Sequence, residues 1–319
     1  MSAIKPRIYV NRSPTTKTFL RRFSSQTSNN HASSDPETTH FGFKTIPKSQ
    51  KVSMVGSVFT NVADKYDVMN DAMSLGIHRL WKDEFVSILK PTPGSTILDV
   101  AGGTGDIAFR MFDSIRTSPL FSPVFSSSKG THTAPDKVSP TTIQPKPSKI
   151  YVCDINPAMI EVGKHRSVEK GYSTSQDPSL EWLVGDAEQL PLPNACVDAY
   201  TIAFGIRNCT NVDKVVREAY RVLKRGGRFM CLEFSHIDSL GPLNPVVQAI
   251  YDAYSFHVIP QMGEVIAKDK GSYEYLVESI RKFPRQNDFC ELIEKEGFQM
   301  VSYKNMTFGV VAIHSGFKL

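Results

Sequence analysis

The amino-acid sequence predicts an α/β protein: a doubly wound, mostly parallel sheet with an antiparallel strand pair at its C-terminal end. Three observations predict it. Short apolar runs alternate with stretches of helical periodicity from residue 96 onward. The first run ends in Ala101-Gly102-Gly103-Thr104-Gly105, a glycine-rich turn that leads into a helix. The last two apolar runs are joined by a link too short for a helical crossover. Alternation of strand and helix gives a parallel sheet covered on both faces. Glycines after its first strand let a ligand approach the backbone at the carboxyl edge.

The elements follow in order. Residues 1–34 hold no acidic side chain, while Lys5, Arg7, Arg12, Lys17, Arg21 and Arg22 stand among hydroxyl residues. That is the composition of an organelle transit peptide. A disordered basic tail or a nucleic-acid arm would share it, but Arg21-Arg22-Phe23-Ser24 also resembles a mitochondrial processing site. Residues 1–40 are therefore read as transit peptide and disordered leader, and 41–319 as the folded domain. The formal net charge is +5; without the tail the remainder is close to neutral, which argues against a nucleic-acid binder. Val55, Val58, Phe59, Val62, Ala63 and Tyr66 recur at helical steps, an amphipathic helix within an N-terminal helical cap over 52–90. Strands are predicted over 96–101, 150–154, 180–184, 199–204 and 227–234. Helices are predicted over 105–112, from Pro157, a favoured first-turn residue, and over 211–223 with Asn211 as cap. Residues 298–303 and 310–314 should pair antiparallel. Residues 117–148, crowded with Ser, Thr, Pro and Lys, fit a disordered surface insertion, and 243–283 a helical segment beside the substrate pocket. No apolar run reaches the about 18 residues of a membrane span. Five scattered cysteines without a Cys-x-x-Cys pair read as reduced thiols, with no disulfide framework and no metal site.

Four segments carry chemistry. Gly102, Gly103, Thr104 and Gly105 form the ligand turn, although Gly103-x-Gly105-x-x-Ala108 also satisfies a dinucleotide fingerprint. Asp106 tilts the choice: a carboxylate in the helix's first turn suits the helix dipole but would repel a pyrophosphate there. A sulfonium ligand with an ammonium group and no phosphate meets no such conflict. Asp154, at the tip of the second strand, can accept both hydroxyls of an adenosine ribose; NAD enzymes also use an acid there, and a plain helix cap is the alternative. After the third strand, Asp186-Ala187-Glu188 can accept from an adenine amino group and receive the ring against Ala187. Arg221-Val222-Leu223-Lys224-Arg225-Gly226-Gly227 stops a helix ahead of the fifth strand. Apart from the insertion, these segments have the order and spacing of class I S-adenosylmethionine-dependent methyltransferases.

Further strings are more specific: Asp64-Lys65-Tyr66-Asp67-x-Met69-Asn70, Phe204-Gly205-Ile206-Arg207-Asn208, Tyr251-Asp252-Ala253-Tyr254-Ser255-Phe256-His257-Val258-Ile259-Pro260, Ser272-Tyr273-x-Tyr275-Leu276-x-Glu278-Ser279-Ile280 and Thr307-Phe308-Gly309. With residues 98–106 they resemble the ubiquinone/menaquinone-biosynthesis C-methyltransferases over about residues 52–319, the insertion aside. Arg225 stands where that family commonly has Pro, and Ala203 where Ser is frequent, so any contact from that hydroxyl is absent. The resemblance implies that Thr104, Asp154, Asp186 and Ala187 contact S-adenosylmethionine. It implies a polyprenyl benzoquinol as substrate and other ubiquinone-biosynthesis proteins as partners. It also implies a peripheral place on the matrix side of the mitochondrial inner membrane.

The implied reaction moves a methyl group from sulfonium to a ring carbon. The carbon becomes nucleophilic when a phenolic proton leaves, and a phenol titrates near ~10. Arg207, after the fourth strand, is the expected cation beside the developing phenolate, directly or through a water, and Asn208 the residue that orients the ring oxygen. Arginine is a poor direct base because it stays protonated. His257, with Tyr254 on a helix that could cap the pocket, is a second candidate for the base. A structural ion pair is the alternative for Arg207, and a satisfied core histidine for His257. A methyltransferase for another small or lipid acceptor, or a non-catalytic assembly subunit that keeps the fold, are the rival functions; the intact glycine turn with Asp154 and Asp186 speaks against the second.

Overall fold

The computed structural model describes residues 37–62, 66–120, 146–172, 177–237 and 241–319, all within one unit, Pro36–Leu319. Most of the leader and residues 121–145 of the insertion lie outside the described residues. The described chain opens with β1 (Thr38–Phe41) paired antiparallel to β2 (Lys44–Pro47). The folded body therefore starts ahead of residue 41, inside the stretch read as leader. Phe41 stacks on Tyr275 with ring centroids 4.1 Å apart.

Three helices follow: α1 (Lys48–Val62), α2 (Tyr66–Ser74) and α3 (Ile77–Leu89). α3 is more than part of a cap. Its Trp81, Phe85, Val86 and Leu89 are buried in one apolar cluster with Ile107, Phe112 and Ile115 of α4 (Asp106–Arg116) and with sheet residues. Phe85 and Phe112 are fully buried, and each such side chain stabilises the fold by about 1.5–3 kcal/mol.

The main sheet contains β3 (Thr96–Val100), β4 (Lys149–Asp154), β5 (Ser179–Val184), β6 (Val197–Ala203), β7 (Leu223–Phe234), β8 (Gln299–Met306) and β9 (Val311–Phe317). Their spatial order is β5-β4-β3-β6-β7-β9-β8. β3 to β7 run parallel, and β9 inserts antiparallel between β7 and β8. The predicted strands are all present, and the antiparallel pair has the predicted partners. The chain order reverses at β3, between β4 and β6, which is where a ligand crevice opens in a doubly wound sheet.

On the other face α6 (Val212–Val222) and α10 (Gln286–Lys295) bury Val215, Val216, Phe289 and Ile293 against Leu98, Tyr200 and Phe229. α5 (Pro157–Glu169) starts at Asn156, whose side chain accepts from the Ala158 N–H. Asn211 holds the cap position of α6 but makes no side-chain cap bond; its amide donates to Glu188 Oε2 at 2.7 Å instead. α7 (Asn244–Ala253), a π-helical turn (Tyr254–Val258), α8 (Ile259–Met262), a second π turn (Gly263–Ala267) and α9 (Lys270–Lys282) complete the fold.

Candidate active site

Two adjoining cavities open at the carboxyl ends of β3, β4 and β6. Counted with the open solvent at their mouths, the larger spans about 1220 Å³ and the smaller about 690 Å³. Phe59, Lys82 and Phe204 wall both. Ala101 (φ 50°) and Phe204 (φ 57°), the residues after or near the ends of β3 and β6, both adopt left-handed backbone. Such conformations are costly for residues with a side chain and concentrate at ligand sites.

The larger cavity receives most of the sequence-predicted cofactor residues: Gly102, Gly103, Thr104, Asp154, Asp186 and Ala187 all line it. Gly102 leaves space that no side chain could share, since a Cβ there would lie 2.7 Å from Val152 Cγ1. Gly105 does not line the cavity. It stands at the start of α4 with φ 85°, and a Cβ would meet Trp182 at 2.7 Å; it shapes the turn and packs the helix. Asp154 Oδ2 accepts from the Gly103 N–H and Oδ1 from the Asn156 N–H, both at 2.9 Å, which fixes the carboxylate in the wall of the cavity. Burial raises this carboxyl above its ordinary value, against the pull of those N–H groups. Asp186 Oδ1 accepts from the Glu188 N–H, which leaves Oδ2 available. Glu188 itself is taken by the N–H and amide of Asn211. Thr104 Oγ1 accepts from Arg166 at 2.6 Å.

Two carboxylates at the glycine turn add to this set. Asp99 lies within the 98–106 string and has no role assigned by the sequence. It is buried, it lines the cavity, and its Oδ1 accepts from Thr201 at 2.8 Å. Its Oδ2 is buried without a hydrogen-bond partner, and desolvation pushes the carboxyl up to about 7. An unpaired carboxylate oxygen under a glycine turn fits a ligand ammonium group. Asp106 pairs with Lys82 Nζ at 2.7 Å. Burial alone would raise this carboxyl, but Lys82, Arg110 and Arg166 together hold it below its ordinary value. The residues present thus fit S-adenosylmethionine: acids for ribose and adenine, and a carboxylate for the ammonium.

The smaller cavity is lined by Asn70, His78, Arg207, Phe234, Tyr273 and Tyr275 among others. Arg207 is buried in an ion pair with Glu233, Nη1 to Oε1 at 2.8 Å, with side-chain exposures of 5% and 1%. Its Nη1 also donates to the Phe204 carbonyl at 2.6 Å, and its Nε to Ser279 Oγ at 3.3 Å. The guanidinium lies 5.5 Å from the Phe234 ring centroid. Burial raises the Glu233 carboxyl, and Arg207 opposes the rise. The ion-pair reading and the cavity-lining reading of Arg207 therefore hold at once. Asn208 lines the larger cavity, and its Oδ1 accepts from Tyr275 Oη at 3.0 Å.

The structure does not bring the other two predicted residues to either cavity. His257 is exposed on the first π turn and lines neither cavity, so it is not a core histidine. Tyr254 donates its hydroxyl to the Met73 carbonyl at 2.9 Å; it braces α2, whose Met73 lines the smaller cavity.

A family model, the ubiE/COQ5 methyltransferase family, matches residues 44–318. The chain is 54% identical to the mitochondrial 2-methoxy-6-polyprenyl-1,4-benzoquinol methylase of Dictyostelium discoideum, over 89% of this chain and 88% of that one. It is 52% identical to the enzyme of the same name from Drosophila melanogaster, over 89% and 86%. Among solved structures it is similar to a S-adenosylmethionine-dependent methyltransferase, possible histamine N-methyltransferase, from Thermotoga maritima. That match has 15% identity over 82% of this chain and 99% of the other, with a TM-score of 0.49, a likeness too distant to say more.

Proposed function

The chain belongs to the ubiE/COQ5 methyltransferase family, and from that premise we propose that it methylates the ring of a 2-methoxy-6-polyprenyl-1,4-benzoquinol in ubiquinone biosynthesis. It is an S-adenosylmethionine-dependent C-methyltransferase. The single observation that carries the substrate reading is the pair of cavities meeting at Phe204. One is furnished for an adenosine with an ammonium group, the other is walled by aromatic side chains around a buried cation. A planar, electron-rich ring fits the second.

S-adenosylmethionine supplies the electrophilic methyl group. Asp154 binds the ribose, the Asp186-Ala187 turn receives the adenine, and Asp99 Oδ2 takes the ammonium. Arg207 is fixed by Glu233, so the pair as a whole carries little net charge. What it offers a developing phenolate is an oriented N–H donor: among the described residues Nη2 forms no hydrogen bond, and Arg207 lines the acceptor cavity. Asn208, steadied by Tyr275, orients a ring oxygen at the junction.

The relatives are named mitochondrial, and the acid-free, arginine-containing N-terminus supports import. A polyprenyl substrate resides in lipid, so the protein works at the matrix face of the inner membrane as a peripheral member of a ubiquinone-biosynthesis assembly. No helix among the described residues is long and apolar enough to cross a membrane. The test is transfer of labelled methyl from S-adenosylmethionine to a demethylated polyprenyl quinol by the full-length protein. Label on the ring carbon is the expected result. Tight donor binding without transfer would leave only an assembly role.

A further inference from the structure

Carbon methylation of a quinol needs a proton acceptor. Arg207 cannot serve, because guanidinium stays protonated and Glu233 already holds it. Lys82 is a cation bound to Asp106. Tyr275 donates to Asn208, and burial pushes its hydroxyl well above the ordinary value. Tyr273 is a phenol, no more basic than the substrate. His78 remains among the described titratable groups of the acceptor cavity.

The chain places His78 with care. α2 ends in two successive left-handed residues, Leu75 (φ 50°) and Gly76 (φ 77°). This break turns α3 back so that its first turn meets the last turn of α2. His78 Nε2 lies 2.8 Å from Asp71 Oδ1. The same carboxylate accepts from Arg79 Nε at 2.8 Å and Nη2 at 2.6 Å. Hydrogen bonds from Arg79 and His78 hold Asp71 well below the usual carboxylate range, so Asp71 is an acceptor only. The Nε2 atom must then carry the proton, and Nδ1 presents a lone pair. That Nδ1 is buried with no hydrogen-bond partner. Burial and Lys82 lower the proton affinity of the ring, while Asp71 and Asp106 oppose them; the imidazole is neutral at physiological pH. His78 lines the acceptor cavity, and a ring hydroxyl that reaches its buried Nδ1 would supply the donor this nitrogen lacks.

We propose that His78 is the general base of the reaction, its Nδ1 taking the hydroxyl proton of the quinol while Asp71, fixed by Arg79, orients the ring and steadies the imidazolium. The inference rests on the methyltransferase reading above. As the O–H bond breaks, its electron pair enters the ring. The ring carbon forms a C–C bond to the methyl, and the S–CH₃ pair stays on sulfur. The imidazolium returns its proton to the ring oxygen as the ring C–H proton leaves to water and aromaticity is restored. One proton is released per methyl transferred.

The test compares native full-length protein with His78→Gln, using labelled S-adenosylmethionine and a demethylated polyprenyl quinol. Gln keeps a side-chain N–H within reach of Asp71 and deletes Nδ1. The expected result is a loss in kcat of about 10²–10⁴-fold, with calorimetric donor affinity and Tm near native. The acid limb of kcat/KM against pH should vanish, and activity should climb with pH as the quinol ionises unaided. Asp71→Asn should lower kcat and move the acid limb to lower pH, because the carboxylate that raised the ring's proton affinity is gone. Native-like kcat in His78→Gln, or an acid limb unmoved in both variants, overturns the proposal. A fall in Tm with unchanged kcat reads as a structural histidine and also overturns it. If the native protein transfers no label, the functional reading falls and this inference with it; activity in both native and His78→Gln protein sinks the inference alone.

Discussion

The larger cavity takes its carboxylates from the ends of three neighbouring strands, β3, β4 and β5, and the turns just after them. The smaller is walled by α1, α2, α3, α9, the turn after β6 and the end of β7, pieces that lie far apart in the chain. In the first, carboxylates are held by nearby backbone: Asp154 by the N–H groups of Gly103 and Asn156, Asp186 by that of Glu188. In the second, side chains hold one another: Arg207 with Glu233 and Ser279, His78 with Asp71 and Arg79. A donor half set by backbone geometry should tolerate loss of one side chain without losing its shape. In the acceptor half, stability and function should fall together only where a buried charge is left unpaired, as at Arg207–Glu233.

The sharpest way to break that contrast is Asp154→Ala. Two ribose hydroxyls lose a charged acceptor, at roughly 1.5–3 kcal/mol per bond, so donor affinity should fall by about 3–6 kcal/mol. Tm should change little, because the removed carboxylate was itself costly to bury. Calorimetry with S-adenosylmethionine and a thermal melt decide it; unchanged affinity would remove Asp154 from the site.

Arg207→Ala probes the other half. Leaving Glu233 buried and unpaired should destabilise the fold by about 3–5 kcal/mol, and loss of one oriented donor should lower kcat roughly 10²–10³-fold. The sequence alone suggested a catalytic effect or a structural one; the buried pair makes both expected. Arg207→Met combined with Glu233→Leu should recover Tm, since an apolar pair of similar volume can replace a buried ion pair, but should leave kcat low. Recovery of kcat with Tm would mean the pair is scaffolding only.

The same contrast explains what could be read from the chain. The strands were legible from short apolar runs punctuated by glycine and proline, and the donor residues because each sits beside a strand end. Asp99 and Glu233 carry a readable signal of their own: a lone acid within an apolar strand must find a partner or a ligand. The Asp71–His78 pair carried none, because the helix break at Leu75-Gly76 brings the two together only in three dimensions. The position of His257 outside both cavities was equally hard to read. This residue lies in a π turn, Tyr254–Val258, so a face drawn at 3.6 residues per turn no longer describes which side chains point inward.

A smaller effect should distinguish the halves by pH. Burial lifts Asp99 from 3.8 to about 7, so its contribution to stability is fully present below about 4 and lost as pH rises through 7. A cation against Oδ2 favours the ionised form, so donor affinity should run the opposite way. It should rise with pH up to about 7 and flatten above, with a slope of at most about 1.4 kcal/mol per unit. Asp99→Asn should flatten both curves. Donor affinity that is level between pH 5 and 7, about the window those two values define, would place the ammonium elsewhere.

The smallest expected effect marks where the acceptor half ends. Tyr254 donates to the Met73 carbonyl, so Tyr254→Phe removes one neutral hydrogen bond, worth about 0.5–1.5 kcal/mol. Met73 lines the acceptor cavity at one remove from Tyr254. A slackened α2 would therefore appear first as a raised KM for the quinol, with kcat and donor affinity held. His257→Ala should change none of these, because the imidazole is exposed and lines neither cavity. The pair of variants separates bracing from chemistry: a true base at His257 would collapse kcat and its acid limb, and a true proton donor at Tyr254 would lower kcat more than it raises KM. Either outcome would mean that the helical segment over 243–283 closes further over the substrate than its resting geometry allows, and would return the base to that segment. Small shifts in KM alone would confine the chemistry to the junction of β6, α2 and α3, where Arg207, Asn208 and His78 meet the shared wall of Phe204.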